Sequence, residues 1–156
     1  MAAYNKFNIF TQNIMNAVHN LSSDTLKLLL TNTSPNAADT VVDTSASPDV
    51  VKSTSNASEI AAGNGYTEDG ASITITGNTQ VAGTYTLAGN QVVFTASGGT
   101  IGPLRYVVFY DITGGAAATR PVISWWDYGS SITLNDGETF TVQFNSASPG
   151  TIFTCA

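Results

Sequence analysis

Charge is scarce in this chain: 10% of its 156 residues are Asp, Glu, Lys or Arg, where a soluble protein averages about 25%. The basic residues are Lys6, Lys27, Lys52, Arg105 and Arg120, scattered along a chain of net charge −6. A phosphate backbone is held by a basic patch that displaces counterions, so no direct nucleic-acid partner is expected. Cysteine is almost missing. The single Cys155 cannot close an intrachain disulfide or build a cysteine-rich metal centre; it reads as a small apolar residue of a final strand. No stretch of 18 apolar residues occurs, as a membrane helix would need, and no membrane partner is expected. The residues after Met1 lack the apolar core of a secretory signal, so the chain is expected to be made and kept in the cytosol unless something carries it out.

Chemistry-bearing motifs are lacking too. There is no G-x-S-x-G, H-E-x-x-H or Walker P-loop, and His19 is the one histidine, so a Ser-His-Asp triad would have to recruit it from the N-terminal segment. The glycine-rich run from Gly98 to Pro103 precedes a strand rather than a helix and cannot offer a helix N-terminus to a phosphate. Asp136-Gly137-Glu138 and Glu68-Asp69-Gly70 lack the spaced Asp/Asn series of an EF-hand loop and read as turns. Carboxylates this sparse make a glycosidase pair improbable. The expectation is a protein that is not an enzyme, with no catalytic residue, cofactor or metal.

What fills the space is Thr, Ser, Asn, Ala and Gly. Thr keeps β-propensity while facing water, which suits strands in a crowded, repetitive assembly. Short alternating segments punctuated by turns follow one another at the spacing of a β-sandwich or barrel: Ser72–Thr76 stopping at Gly77-Asn78, Gly83–Leu87, Gln91–Thr95, Arg105–Asp111, Arg120–Ser131, Ile132–Leu134, Thr139–Phe144 and Thr151–Cys155. In Phe140-Thr-Val142-Gln-Phe144 the apolar groups share one face, and Asn135–Glu138 is read as the reversal between Ile132–Leu134 and Thr139. Phe140, Val142, Phe144, Val107 and Phe109 are assigned to the core. Leu26, Leu28 and Leu30 point inward from a first strand.

Before that strand, Phe7, Phe10, Ile14, Val18 and Leu21 recur at steps of three and four, which predicts a helix over about 5–21 that must dock on something to persist. His19 falls on its polar side near the C-terminal end. Residues 33–58 change character, with Pro35, Pro48 and many small polar residues around the valine pairs Val41-Val42 and Val50-Val51. A stretch of that length without structure is uncommon in a compact domain; it reads as an arm or long surface loop, covered by a neighbour or left loose. The fold expected is a mainly β domain over 1–156, an antiparallel β-sandwich or jelly-roll-like barrel with one N-terminal α-helix.

Trp125 and Trp126 are adjacent, so on a strand they face opposite ways. One fills the core; the other, beside Asp127 and Tyr128, packs under a loop, anchors a subunit contact or stacks on a sugar ring. Candidate interface residues are therefore Phe7, Phe10, Ile14, Val41, Val42, Val50, Val51, Trp125, Trp126 and Tyr128.

Four blocks, YNKFNIFTQNIMNAVHNLSSDTLKLLLTNTSP, EIAAGNGYT, VVFTASGGTIGPLRYVVFYD and PVISWWDYGSSITLNDGETFTVQF, together resemble a family of small virion structural proteins of tailed bacteriophages. The resemblance implies a non-enzymatic component of the particle and transfers no catalytic residue. It does not cover the stretch from Asn36 to Ser58. The role expected from it is a capsid decoration or cement protein on the virion surface. Its partners would be the major capsid protein and other virion proteins, with a possible homo-oligomer such as a trimer. A tail or head–tail joining component and a carbohydrate-binding adhesion module are the alternatives.

Overall fold

The structure is a computed structural model that describes residues 2, 4–145 and 147–156. The chain is an antiparallel β-sandwich with one short helix near its N-terminus. Strand β1 (Tyr4–Lys6) leads into helix α1 (Asn8–Met15), followed by β2 (Leu26–Thr31), β3 (Val41–Asp43), β4 (Val50–Lys52), β5 (Ala57–Ser58) and β6 (Ala71–Ser72). Then come β7 (Ile75–Val81), β8 (Thr84–Gly89), β9 (Val92–Thr95), β10 (Ile101–Asp111), β11 (Arg120–Leu134), β12 (Thr139–Val142) and β13 (Gly150–Cys155). Among the described residues no helix is long and apolar enough to cross a membrane.

The main sheet runs β5-β4-β3-β11-β10-β2-β6, with β1 beside β11. Its central strands are buried on both faces, as near-continuous apolar sequences such as Leu28-Leu29-Leu30 and Val107-Val108-Phe109 require. Leu26, Leu28, Leu30, Val107 and Phe109 enter the larger core, which is closed by Leu87, Val92, Phe94, Phe144 and Ile152 from the opposite layer. That layer has two separate parts, a three-stranded sheet β13-β8-β7 and a two-stranded sheet β12-β9. Leu29, Val108, Tyr110 and Val122 enter a second, smaller core with Phe7, Val42, Val51 and Ala57. An extra residue of β11 opposite Phe109 and Tyr110 shifts the register, a bulge that re-aims the side chains beyond it. Trp125 and Trp126, opposite Val108 and Val107, pack on the smaller and larger cores respectively by simple alternation.

Several expectations from the sequence are corrected. The helix covers residues 8–15 rather than 5–21, because Tyr4, Asn5 and Lys6 pair instead with Trp126, Trp125 and Ser124 of β11. It stops where Ala17 takes φ 55, a left-handed conformation that ends helices and favours glycine. Ala17→Gly is expected to stabilise the protein by about 0.5–1 kcal/mol in chemical denaturation; an unchanged or lowered midpoint would contradict this. His19 is not on a helix face. It lies beyond the helix with its side chain fully buried, Nδ1 3.0 Å from Asp111 Oδ2.

Residues 33–58 are not an arm either. They form β3, β4 and β5, an antiparallel sheet joined to the main one where Arg120 and Pro121 pair with Val42 and Val41. The small polar residues serve as turn acceptors: Asp43 Oδ1 takes hydrogen bonds from Ser45 N and Oγ, and its Oδ2 pairs with Lys52 Nζ. Gly77-Asn78 does not break the β7 strand, which runs to a turn at Ala82-Gly83. The reversal at Asn135–Glu138 exists, with Glu138 N–H bonded to Asn135 O, but it is a corner and not a hairpin. β12 pairs with β9, while β11 stays in the other layer.

Candidate functional site

The corner at Asn135–Glu138 carries β12 away from β11, and the turn before Gly150 returns the chain as β13 on a different sheet. The two strands sit close at their turn, where a Cβ on Gly150 would lie 1.8 Å from Phe144 O. From there they part, among the described residues each paired on one side only, to β9 and to β8. A cleft of about 460 Å³ opens between them, inside the size range of small-ligand sites.

Val107 and Trp126 line the cleft from the main sheet, and Tyr4, Tyr128 and Phe153 also face it. Tyr128 stands edge-on to Phe140 at 5.6 Å between centroids, and Tyr4 edge-on to Trp126 at 5.7 Å. Such edge-to-face rings hold one another in place. Among the described residues none that lines the cleft is charged. Next in sequence, Asp127 is engaged by Arg105 through two 2.8 Å bonds. The guanidinium holds the Asp127 carboxyl below the usual carboxylate range.

The lining residues from Phe140 to Asn145 form an unbroken run, as do those from Thr151 to Thr154. Within β12 the run Phe140–Val142 takes in residues of both faces, so the hollow reaches that strand's edge; in β13 a register shift between Thr151 and Phe153 breaks the alternation. Backbone pairing agrees for β12. Ala96 N–H bonds to Glu138 O at 2.9 Å, in register with Phe94↔Phe140 and Val92↔Val142. Alternation then gives Phe140 and Val142 the bonds to β9 and turns the N–H and C=O of Thr139 and Thr141 away from it.

The candidate interface residues are thus divided. Trp126 and Tyr128 meet in the cleft. Trp125 lies on the other side of β11, its ring 4.5 Å from that of Phe7, and is not an outward platform. Phe7, Val42 and Val51 are wholly buried, and Phe10 nearly so; as core residues they are not available as contacts on this surface. Val41 and Val50 are half-buried in the small sheet. Ile14 lines a second hollow of about 370 Å³ with Phe10, His19, Ser22, Tyr85 and Cys155. The His19 imidazole is enclosed there against Asp111. Burial pushes the Asp111 carboxyl up, but hydrogen bonds from His19 and from the Gly114 and Thr113 N–H groups prevail and hold it below the usual range.

Sequence reasoning missed the buried carboxylates Asp39, Asp43, Asp49, Glu59 and Asp111. Among the described residues no three of His, Cys, Asp or Glu form a group that could hold a metal ion. Comparison with family models, with curated proteins and with solved structures finds no match to this chain.

Proposed function

We propose that this protein is a structural component of a tailed-bacteriophage particle, a decoration or cement protein that binds the mature capsid lattice. The observation that carries the reading is the cleft between the β12 and β13 edges, whose described lining residues carry no charged side chain, an adhesive surface on the sandwich. The sequence resemblance and the threonine-rich, weakly charged surface support the same role. A protein that binds the expanded lattice and not its precursor stabilises the former by mass action. A tail or head–tail joining role would use the same scaffold, with ring symmetry in place of a lattice site.

Purified protein mixed with expanded and unexpanded shells of its phage is expected to co-sediment with the expanded shells alone. Failure to bind either shell, together with absence of the chain from purified virions by mass spectrometry, defeats the proposal. A second reading, adhesion to a neutral glycan, is favoured by one feature: Trp126 and Tyr128 share the cleft with the amide and hydroxyl groups of Gln143, Asn145, Thr151 and Thr154. Tryptophan fluorescence titrated with host glycans tests it.

A further inference from the structure

We infer that the cleft between β12 and β13 is a strand-acceptor site, which takes an extended, uncharged segment of a partner polypeptide and joins the two sheets of the outer layer into one. The inference concerns the chemistry of the cleft and does not depend on the role in a particle.

The two sheets of that layer are β9-β12 and β13-β8-β7. They are already antiparallel β-structure on a common core, and their facing borders are the edges of β12 and β13 that have no strand partner among the described residues. An exposed strand edge presents a row of unpaired N–H and C=O groups, a template for another strand. Proteins usually blunt such edges with lysine, proline or a very short strand. β12 and β13 contain neither lysine nor proline; β13 carries a register shift between Thr151 and Phe153, and β7 and β9 are the other terminal strands of this layer. The other layer differs, since its terminal strands β5 and β6 are only two residues each. An incoming strand would take hydrogen bonds from Thr139 and Thr141 on one side and from β13 on the other. Its alternate side chains would rest on Trp126 and Val107.

The lining decides the chemistry of the guest. With no charged residue in the described lining, an inward Lys, Arg, Asp or Glu would be buried without a counter-charge, which is strongly unfavourable. Threonine alternating with valine, isoleucine or phenylalanine suits it, with apolar groups inward and hydroxyls outward. Main-chain bonds would supply affinity and the aromatic floor selectivity, as in other strand-addition complexes. A sugar would use the ring faces of Trp126 and Tyr128 and has no need of the backbone of β12, and this difference separates the two guests.

The probe is a panel of terminally blocked heptapeptides alternating Thr with Val, Ile or Phe, beside matched peptides carrying Lys or Glu at the apolar positions. Maltoheptaose serves as the neutral sugar. In the free protein the Thr139 and Thr141 amides are expected to exchange with solvent quickly while those of Phe140 and Val142 are protected. An uncharged peptide should slow exchange at Thr139 and Thr141 tenfold or more, and its charged counterpart should bind at least tenfold more weakly. Thr141→Pro removes the outward N–H, which a free edge tolerates, and should weaken peptide binding at least tenfold. Thr141→Ala keeps the N–H and should bind within about threefold of the parent. The inference is overturned if no uncharged peptide slows those amides, or if Thr141→Pro binds peptide as the parent does. It is equally overturned if maltoheptaose fills the cleft with an affinity that falls in Tyr128→Ala and is unchanged in Thr141→Pro.

Discussion

Asp49→Asn is expected to raise the melting temperature at pH 8 and to leave it nearly unchanged at pH 4. Asp49 is 1% exposed and neither of its carboxylate oxygens has a hydrogen-bond partner among the described residues. Burial, then the charges of Glu59 and Asp69, push its carboxyl up from 3.8 to about 8. Glu59, 4% exposed, is pushed up to about 7 by burial, although the Tyr66 hydroxyl donates to it. Around this pair stand Glu68 and Asp69 from the loop before β6, with Tyr110 of β10 bonded to Asp69 O and Lys27 of β2 3.7 Å from Asp69. Arg120 of β11 adds a positive charge near Tyr110.

The direction follows from proton linkage. Between the unfolded carboxylate range near pH 4 and the folded values of about 7 and 8, the folded chain holds protons that the unfolded chain has released. Stability therefore falls as pH rises across that window and levels off above it. A tenfold difference in proton affinity between folded and unfolded chain corresponds to about 1.4 kcal/mol, so the loss at pH 8 is on the order of a few kcal/mol. Asparagine keeps the shape of the neutral acid and removes the titration. Melting curves from pH 4 to 9 for the parent, Asp49→Asn and Glu59→Gln check this. A variant destabilised equally at every pH would show that the Asp49 carboxylate is not under strain.

The architecture was legible where local pattern decides it. Alternation in Arg105–Asp111 and Thr139–Phe144 marks strands, the second ending at Val142, and adjacency alone sends Trp125 and Trp126 to opposite faces. Pairing between distant segments was not legible. The Asn135–Glu138 turn is visible in sequence, yet nothing local says that β12 leaves β11 for β9. Residues 33–58 read as an arm or long surface loop because small polar residues and two prolines leave only two valine pairs as apolar anchors. In the structure, aspartates satisfy backbone N–H groups inside the insertion, so polar residues are what let Val42 and Val51 reach the smaller core. The cleft leaves no local pattern in the sequence for another reason. An acceptor edge is defined by the strand that is not beside it, and Tyr4, Trp126, Phe140 and Phe153 reach it from four separate strands.

Asp39→Ala should cost about 3–5 kcal/mol, a large share of the 5–15 kcal/mol that holds a typical domain together. Asp39 is fully buried. Its Oδ1 accepts the Thr54 and Ser55 N–H groups at 2.7 Å each, and its Oδ2 accepts Asn36 N–H at 2.8 Å and the Ser55 hydroxyl at 2.6 Å. Burial pushes the carboxyl up, and these bonds from Ser55, Asn36 and Thr54 outweigh it and hold Asp39 below the ordinary carboxylate range. Its contribution is present above the unfolded carboxylate range and is lost as pH falls through the lowered folded value, the opposite limb from Asp49. Alanine strands three backbone donors at the turn that brackets β3 and β4, and each lost bond to a charged acceptor is worth about 1.5–3 kcal/mol without full additivity. Asp39→Asn keeps an acceptor on one side only and should fall between alanine and the parent. Urea denaturation reads the global loss, and amide exchange should show residues 40–58 opening before the central strands β2 and β10. A loss below about 1 kcal/mol with unchanged exchange over 40–58 would mean that apolar contact, rather than this carboxylate, fastens the insertion to the sheet.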